Sequence, residues 1–342
     1  MHKPFSPQKK GRQYANTSRK RRFISVITVP FLPLVIAVAI LALLSCSNST
    51  PTATPNEHTL KTSGTSYPMT VTDILGRNVQ IDQPPVRIVT ISPTSTEMLY
   101  LLGGTAIGRD ASSKYPPEAQ DLPTVGSVYS PSIEAIATLN PDLVIIEALN
   151  QSRFLSALSE LNTKIVVVRA TSLEDILAGL TLIGDIIDKK EASIQTIAEI
   201  RDRIAAAKGK LPETSKILIL ISDANRNIYA AKPESYPGAI AALLGLENLA
   251  TGLPDSGPYP GFSLFSGEQA ITSEPDSILT ISPAPPPAPS LSMMLPQVPG
   301  YNTLTAINTG KVYELDPALF LQAQGPRIAD AVEALLDLLN GD

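Results

Sequence analysis

SIEAIATLNPDLVII, Ser132 to Ile146, reads as a short amphipathic helix that stops at Pro141-Asp142 and runs into an apolar strand. The same order returns in SGEQAITSEPDSILT, Ser266 to Thr280, where Glu268 answers Glu134 and Pro275-Asp276 answers Pro141-Asp142. Helix and strand in alternation call for a largely parallel sheet wrapped by helices. Two copies so far apart in the chain place one such unit in each of two sheets.

Working outward from the first copy, apolar runs alternate with amphipathic segments. A strand at Arg87 to Ser92 precedes a helix through Glu97 to Leu102. After the copy's own strand, Leu143 to Ile146, come a helix around Phe154 to Leu161 and a strand at Ile165 to Val168. From Ser172 to Lys210 the period becomes one long helical stretch, with Ile183, Ile187, Ile194, Ile197, Arg201 and Ile204 at helical spacing. Strands then resume at Ile217 to Ile221, Ile278 to Ile281 and Lys311 to Leu315, with helices near 237–244 and 327–339. The fold expected is α/β: two Rossmann-like lobes with mostly parallel sheets, joined by one long α-helix. The lobes would cover 71–187 and 211–342, and the joining helix 188–210. Residues 283–299 hold seven prolines with Met293 and Met294, which reads as an extended surface loop on the rim of a cleft.

The first 70 residues read differently. Eight Lys and Arg residues precede residue 23, and no acid occurs before Glu57. An uncharged apolar run from Phe23 to Leu44 follows, then Cys46, the only cysteine in the chain, and a Ser/Thr/Pro-rich stretch. That layout is an export signal over 1–45 with a flexible tether over 46–70. Its Leu-Leu-Ser-Cys end resembles a bacterial lipobox, which implies lipidation of Cys46 and anchoring to the cell membrane. An uncleaved membrane helix is the alternative, since 22 residues can span a bilayer; either reading exports the rest. Beyond the basic leader 19 basic residues face 32 acidic ones, and an acidic body speaks against nucleic acid as a partner.

The run GRNVQIDQPPVRIVTISPTSTEMLYLLG (Gly76 to Gly103), followed by SSKYPPEAQDLPTVGS and the SIEAIATLNPDLVII unit, resembles the cobalamin and iron-siderophore class of periplasmic binding proteins. The likeness covers roughly Val71 to Leu339. It implies a monomeric, non-catalytic, bilobed protein that closes only slightly on a corrinoid or ferric siderophore. It also implies delivery to an ABC permease driven by a separate ATPase, with no resident cofactor.

Several residues could carry that role. Ser92 and Thr94 follow the first strand, where ligands of such sheets bind; Thr94 and Glu97 also suit a capping box, with Pro93 at the first helical position. The resemblance places Tyr115 and Tyr129 in loops facing the cleft, where an aromatic ring offers broad contact and its hydroxyl orientation; packing within their own lobe is the plainer reading. Asn225, Arg226, Tyr259 and Phe262 are the counterparts on the second lobe. Glu134 and Glu268 are explained equally by the helix dipole or, as the resemblance implies, by permease docking. The only histidines, His2 and His58, lie outside the lobes, which disfavours a His-built metal site or a His-dependent hydrolase. A heme-binding importer component, a chelatase-like enzyme on the same frame and a surface interaction module stand as alternatives.

Overall fold

A computed structural model describes residues 66–211, 215–284 and 287–341. The export signal, Cys46, the tether up to residue 65, and Pro285 and Pro286 lie outside the described residues. The first described element is a hairpin of β1 (Met69–Thr72) and β2 (Asn78–Ile81). Beyond it come β3 (Ile88–Thr90), α1 (Pro93–Leu101), β4 (Gly108–Arg109), the small hairpin of β5 (Gly126–Ser127) and β6 (Ser130–Pro131), and α2 (Ile133–Thr138). Next are β7 (Leu143–Glu147), α3 (Ala148–Gln151), α4 (Leu155–Ser159) and β8 (Lys164–Val168). The first sheet runs β4-β3-β7-β8, every pair parallel.

Two helices, α5 (Leu173–Ile186) and α6 (Lys190–Ala207), then lead to the second sheet. The single helical stretch expected over Ser172 to Lys210 is therefore broken. Asp188 takes a left-handed conformation (φ 56°), and Lys189 N–H turns back onto the Gly184 carbonyl at 2.7 Å. The break lets α6 fold back along α5 so closely that a Cβ on Gly184 would sit 2.6 Å from that of Ser193. The break also shifts the buried stripe: Ser193, Ile200 and Ile204 face inward in α6, whereas Ile194 and Arg201, expected on the same stripe, are exposed.

The second sheet contains β9 (Lys216–Ser222), β10 (Ile228–Ala231), β11 (Glu247–Asn248), β12 (Phe262–Leu264), β13 (Ser277–Ile281) and β14 (Val312–Leu315). Its order is β12-β10-β9-β13-β14, with β11 alongside the start of β9. β10 and β12 pair antiparallel and the rest parallel. Helices α7 (Tyr236–Leu243), α8 (Gly267–Ser273), α9 (Leu291–Met294), α10 (Thr305–Asn308) and α11 (Ile328–Asn340) complete the described chain. The expected extended loop at 283–299 is thus helical in its second part: α9 and a 3₁₀ turn over Leu295–Gln297 bury Leu291 and Leu295. Apolar anchoring outweighs the prolines there.

Each strand shows why the runs are continuously apolar. Ile88, Leu143, Ile145, Val166 and Val168 face one core, and Val89, Val144, Ile146 and Val167 face another. The second sheet repeats the division, with Ile217, Ile219, Leu279 and Ile281 on one side and Leu218, Leu220 and Ile278 on the other. The inner core is one cluster, continuous from the first sheet to the second through Ile183, Ile200, Ile204, Val332 and Leu335. A shared core of this kind resists separation of the sheets.

The repeated unit is repeated in its backbone. Ser132 and Ser266 are both N-caps, accepting from Ala135 N–H and Gln269 N–H. Asn140 (φ 46°) and Glu274 (φ 47°) both turn left-handed before a buried proline. The carboxylate of Asp142 then receives the N–H groups of Val86 and Arg87, and that of Asp276 receives Lys216 N–H. Each aspartate so fixes the start of the neighbouring strand, β3 or β9.

Candidate functional site

The carboxyl end of β3 faces the segment that follows β14. Ser92 caps α1, in a box completed by Ser95 and not by the expected Thr94–Glu97 pair. The cap lies two residues earlier because Pro93 already occupies the first helical position, its ring pre-set for that φ. Released from capping, Thr94 donates its hydroxyl to the Gln324 carbonyl at 2.7 Å, and Glu97 meets Arg327. The Arg327 fork donates Nε to Oε2 at 2.9 Å and Nη2 to Oε1 at 2.8 Å. Bidentate pairing of this kind fixes geometry as well as charge.

The Glu97 side chain is only 2% exposed. Burial pushes its pKa up, against the pull of the Arg327 hydrogen bonds and charge. The Arg327 guanidinium is pushed up in turn, chiefly by its bonds to Glu97. Its other face lies over the ring of Tyr115, 4.6 Å from the centroid. Tyr115 is half-exposed, so one ring surface packs on the cation while the other edge meets solvent.

The loop carrying Tyr115 is itself tied to α1 by buried polar groups. Thr90 and Thr96 hydroxyls lie 2.8 Å apart, Thr96 and Ser113 2.9 Å apart, and Ser113 donates to the Asp110 carboxylate. Arg109, also buried, donates to the carbonyls of Asp110, Ala119 and Gln120. Burial raises the Asp110 pKa, while its hydrogen bonds lower it. These contacts tie the 110–121 loop, and hence Tyr115, to the helix that carries Glu97.

Between α1, this loop, α6 and the start of α11 lies a cavity of about 420 Å³. Tyr100, Tyr115, Ile200 and Arg327 are among its walls. That volume falls within the range of small-molecule sites.

Tyr129 is 67% exposed, and its carbonyl accepts from Arg153. Asn225 and Arg226 occupy the exposed tip of the β9–β10 hairpin. Arg226 is left-handed there (φ 66°), and Asp223 closes the turn by accepting the N–H groups of Asn225 and Asn227. Tyr259 is half-buried between Tyr229 and Phe262, edge-to-face at 5.5 and 6.2 Å. Phe262 is buried in the inner core and backs Tyr259. The structure therefore brings Thr94 and Tyr115 to the junction, groups Tyr259 with Phe262, and leaves Ser92 in a capping position. Glu134 and Glu268 both stand exposed in the first turns of α2 and α8.

The model of a periplasmic binding protein family matches residues 88–319. The chain belongs to that family. Among similar proteins is a cobalamin-binding protein of Halobacterium salinarum, 25% identical over 88% of this chain and 82% of its own. Another is an uncharacterized ABC transporter substrate-binding lipoprotein of Bacillus subtilis, YvrC, 23% identical over 81% of this chain and 87% of its own. A solved structure, the petrobactin-binding protein YclQ of Bacillus subtilis, superposes with a TM-score of 0.70 at 22% identity, covering 80% of this chain and 99% of that one.

Membership makes the chain an extracytoplasmic binding protein of the ABC importer type, and not an enzyme. Among the described residues no group of three or more His, Cys, Asp or Glu side chains is placed to hold a metal ion, and no helix is long and apolar enough to cross a membrane.

Sequence reasoning missed Arg327 and Gln324. One signal for Arg327 was available: a cation at a helix N-terminus opposes the helix dipole and so calls for a carboxylate elsewhere.

Proposed function

We propose that this periplasmic binding protein is the capture subunit of an ABC importer, taking a metal chelate of the corrinoid or iron-siderophore kind between its two sheets. The sheets act as the two lobes, and the chelate passes from them to the permease. The observation that carries the reading is the junction: the carboxyl end of β3 meets the segment after β14 beside a cavity walled by Tyr100 and Tyr115, where ligands of open α/β sheets bind. The continuous inner core favours a small closing motion over a wide hinge. The cobalamin-binding relative supports a corrinoid. Cys46 and the lipoprotein relative support a lipid anchor.

The direct test is a thermal-shift screen of the purified exported part, with a visible spectrum to detect carried-over chelate. A true ligand at 100 times its dissociation constant adds about 2.7 kcal/mol of stability, and Tyr115→Ala should weaken that gain. Lack of any shift or colour with corrinoid and ferric-siderophore panels would sink the reading. For the anchor, Cys46→Ala should abolish fatty-acid labelling of the protein in membranes; label that persists would reject it.

A further inference from the structure

The cavity at the junction carries an excess of negative charge that no basic group on its wall is free to offset. Glu97, Glu118, Glu199 and Asp330 line it, against Arg203 and Arg327. Both guanidiniums are committed. Arg327 is held in the fork of Glu97, and Arg203 donates to Glu333 and to Asp330, the latter at 2.6 Å. Glu118 and Glu199 stand exposed. Among the described residues neither has a cation within ion-pair distance, and Glu199 accepts one bond, from Gln195 Nε2 at 3.0 Å. Apart from Thr196, the remaining wall is aromatic and apolar, with Tyr100, Leu101, Tyr115 and Ile200 beside two prolines.

A ligand bringing several negative charges would face two open carboxylates and find no unpaired arginine. To recruit Arg327 it would have to leave Glu97 buried without its partner, which is costly. An uncharged chelate has no such conflict, and a cationic one gains from Glu118 and Glu199. The aromatic wall suits the broad apolar face of a macrocycle in either case.

We infer that this cavity selects an uncharged or cationic metal chelate and discriminates against polyanionic ferric chelates. The inference rests on the chelate-carrier reading above and narrows its substrate class.

The test compares three probes on the exported protein: cyanocobalamin, which carries no net charge; hemin, which carries two carboxylates; and a trianionic ferric tris-catecholate. Cyanocobalamin should bind, and the tris-catecholate should bind at least about tenfold more weakly at low salt, with the gap shrinking as salt screens the rim. The double variant Glu118→Gln, Glu199→Gln alters only exposed side chains, so it should keep its melting temperature while narrowing the gap; hemin should fall between the other two. Wild-type protein that holds the tris-catecholate as tightly as cyanocobalamin, or a gap untouched by the double variant, overturns the charge selection and leaves the carrier reading standing. Failure of all three probes to bind overturns the carrier reading, and this inference with it.

Discussion

The outer turns and the junction of this molecule are built by opposite means. Each Glu-led turn is built first from contacts a few residues apart, a serine cap, a left-handed residue and a buried proline, and then from an aspartate that reaches the neighbouring strand of its own sheet, 55 or 56 positions away for Asp142 and 60 for Asp276. It occurs once on each sheet. The junction is made from Glu97 and Arg327, 230 positions apart, and occurs once. The difference teaches that a unit whose bonds all stay within one sheet can recur on the other sheet, whereas a contact between the sheets has no counterpart within either.

The largest effect expected is therefore at the junction. Arg327→Met leaves a buried carboxylate without its partner, a loss of about 3–5 kcal/mol measurable by urea denaturation. The pH dependence gives the cause. Glu97 already has a raised pKa, and without Arg327 it should rise further. A raised pKa means that stability present at low pH is lost as pH rises through the folded-state value, so the variant should be less impaired in mildly acidic solution than in mildly alkaline solution. An equal deficit at both pH values would show that Arg327 contributes packing alone.

This contrast also explains how much could be read from sequence. The two Glu-led units, the apolar strands and the mostly parallel arrangement were legible, because helix caps, Pro-Asp turns and continuous apolar runs alternating with helical period are signals carried by neighbouring residues. Glu134 and Glu268 fall in the first turns expected of them. The junction was not legible: Glu97 looked like a capping partner for Thr94, and only the fold brings it to Arg327. The helix break at Asp188 was hidden for a related reason, since left-handed turns need not be glycine.

The copies are not identical, and the next effect sharpens that. Glu134 borders an open groove of about 470 Å³ lined by Pro123, Val125, Ala135 and Leu139 among others. On the second copy Gly267 sits against Pro299 and Gly300, so that a Cβ on Gly267 would come 2.3 Å from the Pro299 carbonyl oxygen. The matching position on the first copy is Ile133, where a full side chain fits. Gly267→Ala should cost about 1–3 kcal/mol through the forced backbone shift, read again by urea denaturation. A neutral substitution would mean that the 298–300 segment yields freely and the two turns are closer to equivalent than they look.

The smallest effect on stability, and the one that bears most on the proposed transport role, concerns the glutamates themselves. If each only favours its helix dipole, Glu134→Lys or Glu268→Lys should lower stability by about 0.3–1 kcal/mol and change nothing else. If each also meets a basic residue of the permease, chelate affinity should stay near the parent value while association with the permease in reconstituted membranes falls. The loss should be greater in the double reversal and greatest at low salt, where exposed charges are least screened. Two exposed acids, one on each sheet, match what two permease subunits would require of a single docking protein. A double reversal that associates normally while melting slightly earlier would reduce the repeated turn to helix capping and strand anchoring.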